Sequence, residues 1–148
     1  EQKQWARQRV ELMNKHLGEF VNPDNQIVNV TERDSVYQYP CNVGIIIHEN
    51  NASAVEQFLL AAKQSRKVKL FGKTTFGALD ASNLLFADSP CKRFRLIYCY
   101  SKSLRIPGMA IDDIGLQPDY YIDDEIPSHK WVDYVNDILI FSQPLTPR

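Results

Sequence analysis

This sequence has few cysteines, almost no net charge and no long apolar run. Each of these features argues against a particular kind of site, partner or segment. The three cysteines, Cys41, Cys91 and Cys99, have neither zinc-ligand spacing nor the even count of a disulfide framework, so they do not fix the redox compartment. The net charge is −1, from 17 basic and 18 acidic side chains, which gives no electrostatic reason to expect nucleic acid or an anionic membrane as a partner. No apolar run reaches membrane-spanning length, so we expect no membrane-spanning segment.

The start of the sequence carries neither a signal peptide nor an initiator methionine, so we expect a chain that has been trimmed. Its 148 residues suit a single domain, residues 1–148, with a sizeable hydrophobic core. Hydrophobic residues make up 44% and charged residues 24%, which are ordinary values for a globular, soluble protein. We expect no cofactor and no metal site.

The middle of the sequence alternates between strand and helix patterns. Val43 to His48 is a nearly continuous β-branched run, which is typical of a strand covered on both faces in a parallel sheet. A helix is predicted from about Ala52 to Gln64, because apolar residues recur there at helical spacing, and this apolar face is expected to be buried in the core: Val55, Phe58, Leu59 and Ala62. Lys67 to Phe71 predicts a second strand, so strand, helix and strand form a right-handed parallel crossover. The predicted fold class is α/β.

Weaker patterns flank this core. Residues Gln4 to Leu17 predict a first helix that ends at Gly18, and residues 21–40 predict a loop or an edge hairpin. Downstream, "FGALDASN", "FRLIYCY" and "LQPDYYI" predict further strands. A last helix is predicted to start near Ser128, with an apolar face formed by Trp131, Val132, Val135, Ile138 and Leu139.

The corner between the first strand and the helix, "HENNASAVEQF", contains the most informative residue, Ser53. Glu56 follows three residues later, which is the spacing of a capping box, so Ser53 could be no more than the cap of the helix. Alternatively Ser53 is a nucleophile, since the free N–H groups and the dipole of a helix N-terminus stabilise an oxyanion beside the hydroxyl. The corner lacks the Gly-x-Ser-x-Gly elbow, and its position alone does not decide between the two.

Three motifs, in order, resemble those of the C-terminal processing, or tail-specific, protease family and its tricorn-like and retinoid-binding relatives. In that family the corner reads Ser-Ala-Ser-Ala-x-Glu, the next strand leads into Gly-Glu-x-Thr-x-Gly, and Gly-x-x-Pro-Asp follows. The matching segments here are Ala52–Glu56, Gly72–Gly77 and Gly115–Asp119. The resemblance covers roughly residues 43 to 122, and the set of motifs is more specific than any one of them.

This resemblance implies a crotonase-like α/β core with a mainly parallel sheet flanked by helices, and a chain that is the C-terminal half of a larger catalytic domain. It also implies that Ser53 is the nucleophile and that the N–H of Ala54 helps to form the oxyanion hole. The tricorn-like branch, with which the sequence agrees best, has an acidic residue three positions before the Gly of Gly-x-x-Pro-Asp. Asp112 stands there, either as a group that orients the catalytic network or as an ordinary loop aspartate.

The sequence also departs from the family pattern. The lysine base of the tail-specific branch follows the Gly of Thr-Phe-Gly, and that position is Ala78 here. Lys73 is an alternative base, but it stands where the family has Glu, and a surface lysine is the simpler interpretation. The early Asp-x-Arg-x-Asn-x-Gly-Gly segment, which supplies other oxyanion donors, does not occur. No evident general base exists among the three histidines, His16, His48 and His129.

Three hypotheses follow. The chain is the C-terminal part of a serine peptidase that hydrolyses peptide bonds in peptides or unfolded proteins, and by itself it is inactive because parts of the site are missing. Alternatively, it is a degenerate module that binds a peptide or an apolar ligand on the same fold. In the third hypothesis Ser53 is only a cap and the domain is a scaffold. The family implies a periplasmic, cell-envelope or secreted location, and the sequence leaves an oligomer open.

Overall fold

The computed structural model describes residues 2–23, 35, 37–105 and 108–141. The elements in chain order are α1 (Gln2–Lys15), β1 (Val43–Ile47), α2 (Ala54–Ala62), β2 (Val68–Gly72), β3 (Ala81–Asp88), β4 (Arg95–Lys102), β5 (Tyr120–Tyr121) and α3 (Trp131–Phe141), with a short 3-10 helix at Ser128–Lys130 before α3. The loop or hairpin predicted over 21–40 lies largely outside the described residues. None of the described helices has the length and hydrophobicity needed to cross a bilayer.

Strand β2 is the centre of a three-stranded parallel sheet with the order β1-β2-β5. β1 pairs with one edge of β2 in a register that places Ile47 opposite Gly72. β5 pairs with the other edge and places Tyr120 opposite Phe71. Helix α2 connects β1 to β2, as the β-branched run and the helical spacing predict. The α/β fold with a mainly parallel sheet is therefore confirmed.

Two apolar clusters cover the two faces of this sheet. Leu70 and Phe71 are neighbours in β2 and both are fully buried, but they belong to different clusters because successive side chains of a strand point to opposite faces. Leu70 lies on the face covered by α2, in a cluster completed by Ile47, Leu59, Leu79, Ile111 and Leu116. Phe71 lies under α3, together with Ile122 and Val135. The sheet is thus a layer between α2 and α3.

Strands β3 and β4 form an antiparallel hairpin that is separate from the parallel sheet. The pairing runs from Ala81 opposite Lys102 to Asp88 opposite Arg95. The strand predicted from "FGALDASN" begins too early, because β3 starts only at Ala81 and residues 76–80 pair with no strand. The backbone N–H groups of residues 77–80 donate to side-chain carboxylates instead, which fixes this segment without a ladder.

The prediction that Phe58 belongs to the core is wrong. Phe58 is 60% exposed and Val55 is 42% exposed, whereas Glu56 and Leu59 are the buried residues of α2. The Glu56 carboxylate points into the protein, where it accepts hydrogen bonds from Thr75, Gly77 and Ala78, which follow β2. Because residues three positions apart share a helix face, burying Glu56 also buries Leu59 and rotates Phe58 toward solvent.

Truncation of Leu59 should therefore cost far more stability than truncation of Phe58. Leu59→Ala removes a side chain that is 1% exposed, and we expect a loss of about 2–5 kcal/mol in the free energy of unfolding. Phe58→Ala on the same helix is the control, with an expected loss below about 1 kcal/mol. Urea unfolding followed by circular dichroism measures both. Equal losses, or a larger loss for Phe58, would contradict the orientation of α2.

Candidate active site

The corner that follows β1 is a tight, hydrogen-bonded turn. The N–H of His48 donates to Oδ1 of Asn51 at 2.8 Å, and the N–H of Asn51 donates to the carbonyl of His48 at 2.9 Å. The carbonyl of Asn51 accepts from the N–H of Phe76 at 2.9 Å, which ties the turn to the segment after β2. Ser53 lies immediately after this turn and immediately before α2, and it is exposed to solvent.

Ser53 has an unusual backbone conformation, with φ of 56° and ψ of −115°. An ordinary N-cap residue is in the β region of φ/ψ space, so the conformation is not that of a simple helix cap. A residue with a side chain is strained in this region and is held there only by its surroundings. Nucleophiles at sharp strand-to-helix turns occupy such strained positions. Ser53 and Glu56 nevertheless form the predicted capping box, so Ser53 is the cap of α2, and its strained backbone is in addition compatible with a nucleophile.

Of the backbone N–H groups at the start of α2, that of Ser53 donates hydrogen bonds and that of Ala54 does not. The N–H of Ser53 donates to Oε2 of Glu56 at 3.0 Å and to the carbonyl of Ala78 at 3.1 Å. Ala54 opens α2, and within the described residues its N–H donates to no acceptor. The first N–H groups of a helix lack an internal partner and lie at the positive end of the helix dipole. The N–H of Ala54 is therefore available to an oxyanion beside Ser53.

Glu56 is fully buried, and its carboxylate accepts four hydrogen bonds. Oε1 accepts from the Thr75 hydroxyl at 2.6 Å and from the N–H of Gly77 at 2.7 Å. Oε2 accepts at 3.0 Å from the N–H of Ser53 and at 3.0 Å from the N–H of Ala78. Burial alone would raise the pKa of Glu56, but these hydrogen bonds outweigh it and the pKa is lowered. The group is thus ionised at neutral pH.

Asp112 and Asp80 continue the same pattern along the chain. Oδ1 of Asp112 accepts from the N–H groups of Leu79 and Asp80 at 2.7 and 2.6 Å, and Oδ2 accepts from Ala81 at 2.9 Å. Oδ2 of Asp80 accepts from the N–H groups of Ile111 and Asp112 at 2.6 and 3.1 Å. Together Glu56 and Asp112 bind five consecutive N–H groups, those of residues 77–81.

The third motif joins the site through Thr75. The Thr75 hydroxyl, which donates to Glu56, accepts from the N–H of Leu116 at 2.8 Å. The N–H of Thr75 donates to the carbonyl of Leu116 at 3.1 Å. Gly115 lies so close to the backbone of Thr75 that a Cβ at position 115 would be 2.2 Å from the Thr75 carbonyl oxygen. All three motifs therefore converge on one buried polar network beside Ser53.

The chain is similar to a known protein family over most of its length. Residues 5–122 match peptidase family S41. The chain belongs to that family. The solved structures include a protein from Bacteroides fragilis NCTC 9343 described as a candidate S41 protease, with 19% sequence identity and a TM-score of 0.43. The similarity covers 72% of this chain and only 29% of that protein. No curated protein matches the chain.

Two candidate bases of this S41 chain, Lys73 and His48, have acidic side chains as partners. Lys73 forms an ion pair with Asp124, and that hydrogen bond raises the pKa of Lys73, so Lys73 is protonated and unsuited to act as a base. Nε2 of His48 lies 3.3 Å from a carboxylate oxygen of Glu49. In the described ranges no lysine or histidine side chain forms a hydrogen bond with Ser53.

The hydrogen bonds that Asp112 accepts are structural in kind. Both oxygens of Asp112 are used by backbone N–H groups, and within the described residues no histidine contacts it. Its role as an orienting acid stays a prediction.

The cysteines, Cys41, Cys91 and Cys99, are free thiols. No group of three His, Cys, Asp or Glu side chains in the part of the chain that the structure describes could hold a metal ion.

Sequence reasoning named Ser53, Ala54 and Asp112 for the site, and it treated Glu56 only as part of a capping box. The signal for more was present, because Glu is the last residue of the first S41 motif and Thr75 lies in the second. Spacing along the chain could not show that both side chains meet in one buried network. Asp80 gave no signal at all, since it lies in none of the three motifs.

Gly115→Ala should damage the network by steric conflict. The new Cβ would be 2.2 Å from the Thr75 carbonyl oxygen, so we expect a loss of about 3 kcal/mol or more in the free energy of unfolding. Gly108 is the matched control because its φ of 81° is close to the 72° of Gly115, while no atom of the described residues lies within 4 Å of its Cβ position. Similar losses for both variants would show that backbone conformation, and not close packing, is responsible.

Acid should weaken the fold by protonating the half-buried, hydrogen-bonded carboxylate of Asp112. The pKa of Asp112 is lowered, because hydrogen bonds from the N–H groups of residues 79–81 outweigh its burial. A lowered folded pKa gives stability that is present above the unfolded pKa and is lost as the pH falls through the folded pKa. Asp112→Asn should cost about 1–3 kcal/mol at neutral pH and flatten the acid limb of stability against pH. Asp113→Asn, an exposed neighbour, is the control, and an equal effect there would contradict the assignment.

Proposed function

We propose that this chain carries the nucleophile of a serine peptidase of the tail-specific type. Ser53 attacks the carbonyl carbon of a peptide bond, and the N–H of Ala54 donates to the oxyanion that forms. The observation that carries the proposal is the strained conformation of Ser53, with φ of 56°, directly before a helix whose first N–H is free within the described residues. The substrates proposed are peptides or unfolded proteins, and the proposed location is periplasmic, cell-envelope or secreted.

The chemistry needs more than these residues provide. As the Oγ–C bond forms, a base must take the proton of the Ser53 hydroxyl and later give it to the leaving amine. Lys73 is bound to Asp124, and Ala78 occupies the position of the lysine base. The base and a second oxyanion donor are therefore proposed to come from another part of a longer catalytic domain.

Labelling with a fluorophosphonate probe tests the nucleophile. In the longest natural form of the protein we expect one labelled site, located at Ser53 by mass spectrometry of the tryptic peptides. Ser53→Ala should abolish labelling, whereas Ser65→Ala, at another exposed serine, should leave it unchanged. A folded longest form without labelling at Ser53 would overturn the enzyme proposal.

The chain of residues 1–148 alone should be inactive as a peptidase. Members of a catalytic set act as a unit, so the loss of the base lowers the rate by several orders of magnitude. We expect the intact chain and Ser53→Ala to cleave an unfolded protein at equal rates. A clearly faster rate for the intact chain would show that it contains a base, and His48, at the end of β1, would be tested first.

A degenerate module that binds a peptide or an apolar ligand is the second candidate. It is favoured by Ala78 in the place of the lysine base and by the ion pair that holds Lys73. Many large apolar side chains of the hairpin are also exposed, including Phe86, Phe94 and Leu96. This candidate predicts that the longest natural form binds peptides while Ser53 stays unlabelled.

A further inference from the structure

We infer that Glu56 is a positioning residue, whose carboxylate holds the backbone of Ser53 in the conformation that a nucleophile needs. The inference rests on the proposed function only in calling Ser53 the nucleophile. Glu56 itself touches no reacting atom, since its oxygens face the backbone behind the corner. It acts through the N–H of Ser53 and through the segment that begins at Gly77.

The hydrogen bonds of Glu56 join three separate parts of the chain. One donor is Ser53 at the start of α2, one is Thr75 after β2, and two are the N–H groups of Gly77 and Ala78. The N–H of Ser53 also reaches the carbonyl of Ala78, so the strained residue and the segment beside it are fixed to each other and to the same carboxylate. Ser53 can therefore not relax its φ angle without breaking these bonds.

Only a carboxylate fits this place. An ionised carboxyl group accepts at both oxygens and donates nothing, whereas the amide of glutamine accepts at one oxygen and donates at its nitrogen. In a glutamine at position 56, an N–H₂ group would face at least two of the donors that now point at the carboxylate. The shorter side chain of Glu56→Asp would keep the charge but would be too short to reach all of these donors.

The charge of Glu56 is balanced without a cation. Among the described residues no lysine or arginine side chain contacts it, and its partners are one hydroxyl and three backbone N–H groups. A buried charge is tolerated only when hydrogen bonds compensate for lost water, and here all the compensating donors belong to the nucleophile corner and its two neighbouring segments. A second carboxylate, Asp112, binds the N–H groups of the adjoining residues of the same segment, Leu79 to Ala81.

Nuclear magnetic resonance of the 15N-labelled chain tests the inference directly. In Glu56→Gln we expect the amide signals of Ser53, Ala54, Gly77 and Ala78 to move and the coupling constant that reports the Ser53 φ angle to change. Amides of the sheet core, such as Leu70, should stay in place. Glu125→Gln, at an exposed glutamate, is the matched control and should leave the Ser53 signals unchanged. A folded Glu56→Gln variant with an unaltered Ser53 φ would overturn the inference.

A pH titration of the wild-type chain keeps the test valid if Glu56→Gln does not fold. The amides of Ser53 and Ala54 should titrate together with the Glu56 carboxyl, at a midpoint below the usual range for glutamate and before global unfolding. A Ser53 signal that changes only with global unfolding would contradict the inference.

The labelling rate of Ser53 in the longest natural form supplies a chemical readout. Misplacing a nucleophile lowers its reaction rate steeply. Ser53 in Glu56→Gln should therefore be labelled at least about tenfold more slowly than in the wild type, while Glu125→Gln is labelled at the wild-type rate. An unchanged rate in Glu56→Gln would overturn the inference. If wild-type Ser53 is not labelled at all, the proposed function fails, and the resonance measurements still decide whether Glu56 sets the conformation of Ser53.

Discussion

The hydrogen bonds to the buried carboxylate of Glu56 are the constraint on which the rest of this structure depends. They fix Ser53 at a backbone conformation that a side chain disfavours. They also turn α2 so that Leu59 enters the core and Phe58 does not. Through Thr75 they reach Leu116, and through Gly77 and Ala78 they order the segment that leads into the β3–β4 hairpin. A single ionised side chain thus couples helix orientation to the geometry of the candidate nucleophile.

Much of the fold could be predicted from the sequence because its signals are local. The β-branched run at Val43–Ile47 and the helical spacing after it indicate a parallel crossover, and the structure has one. The buried face of α2 could not be predicted, because the apolar pattern places Phe58 inside. A charged residue at Glu56 overrides that pattern, and three of its four hydrogen-bond partners are 19 to 22 positions away in the chain.

The candidate site shows the same division. The three motifs identify Ser53 and its neighbour Ala54, yet the strained φ of Ser53 has no signature in composition or spacing. Asp112 is placed by its spacing from Gly115, but spacing could not reveal that backbone N–H groups occupy both of its oxygens. The family's polar residues here thus maintain a backbone framework, while the base proposed for the reaction is not found beside Ser53 in the described residues.

The central claim is that Ser53 is a nucleophile with its oxyanion donor at Ala54. It is tested most directly by a crystal structure of the longest natural form after reaction with a peptidyl phosphonate. The account predicts a covalent bond between Oγ of Ser53 and phosphorus, with the phosphonyl oxygen accepting a hydrogen bond from the N–H of Ala54. A bond to another residue, or a phosphonyl oxygen turned away from Ala54, would contradict it.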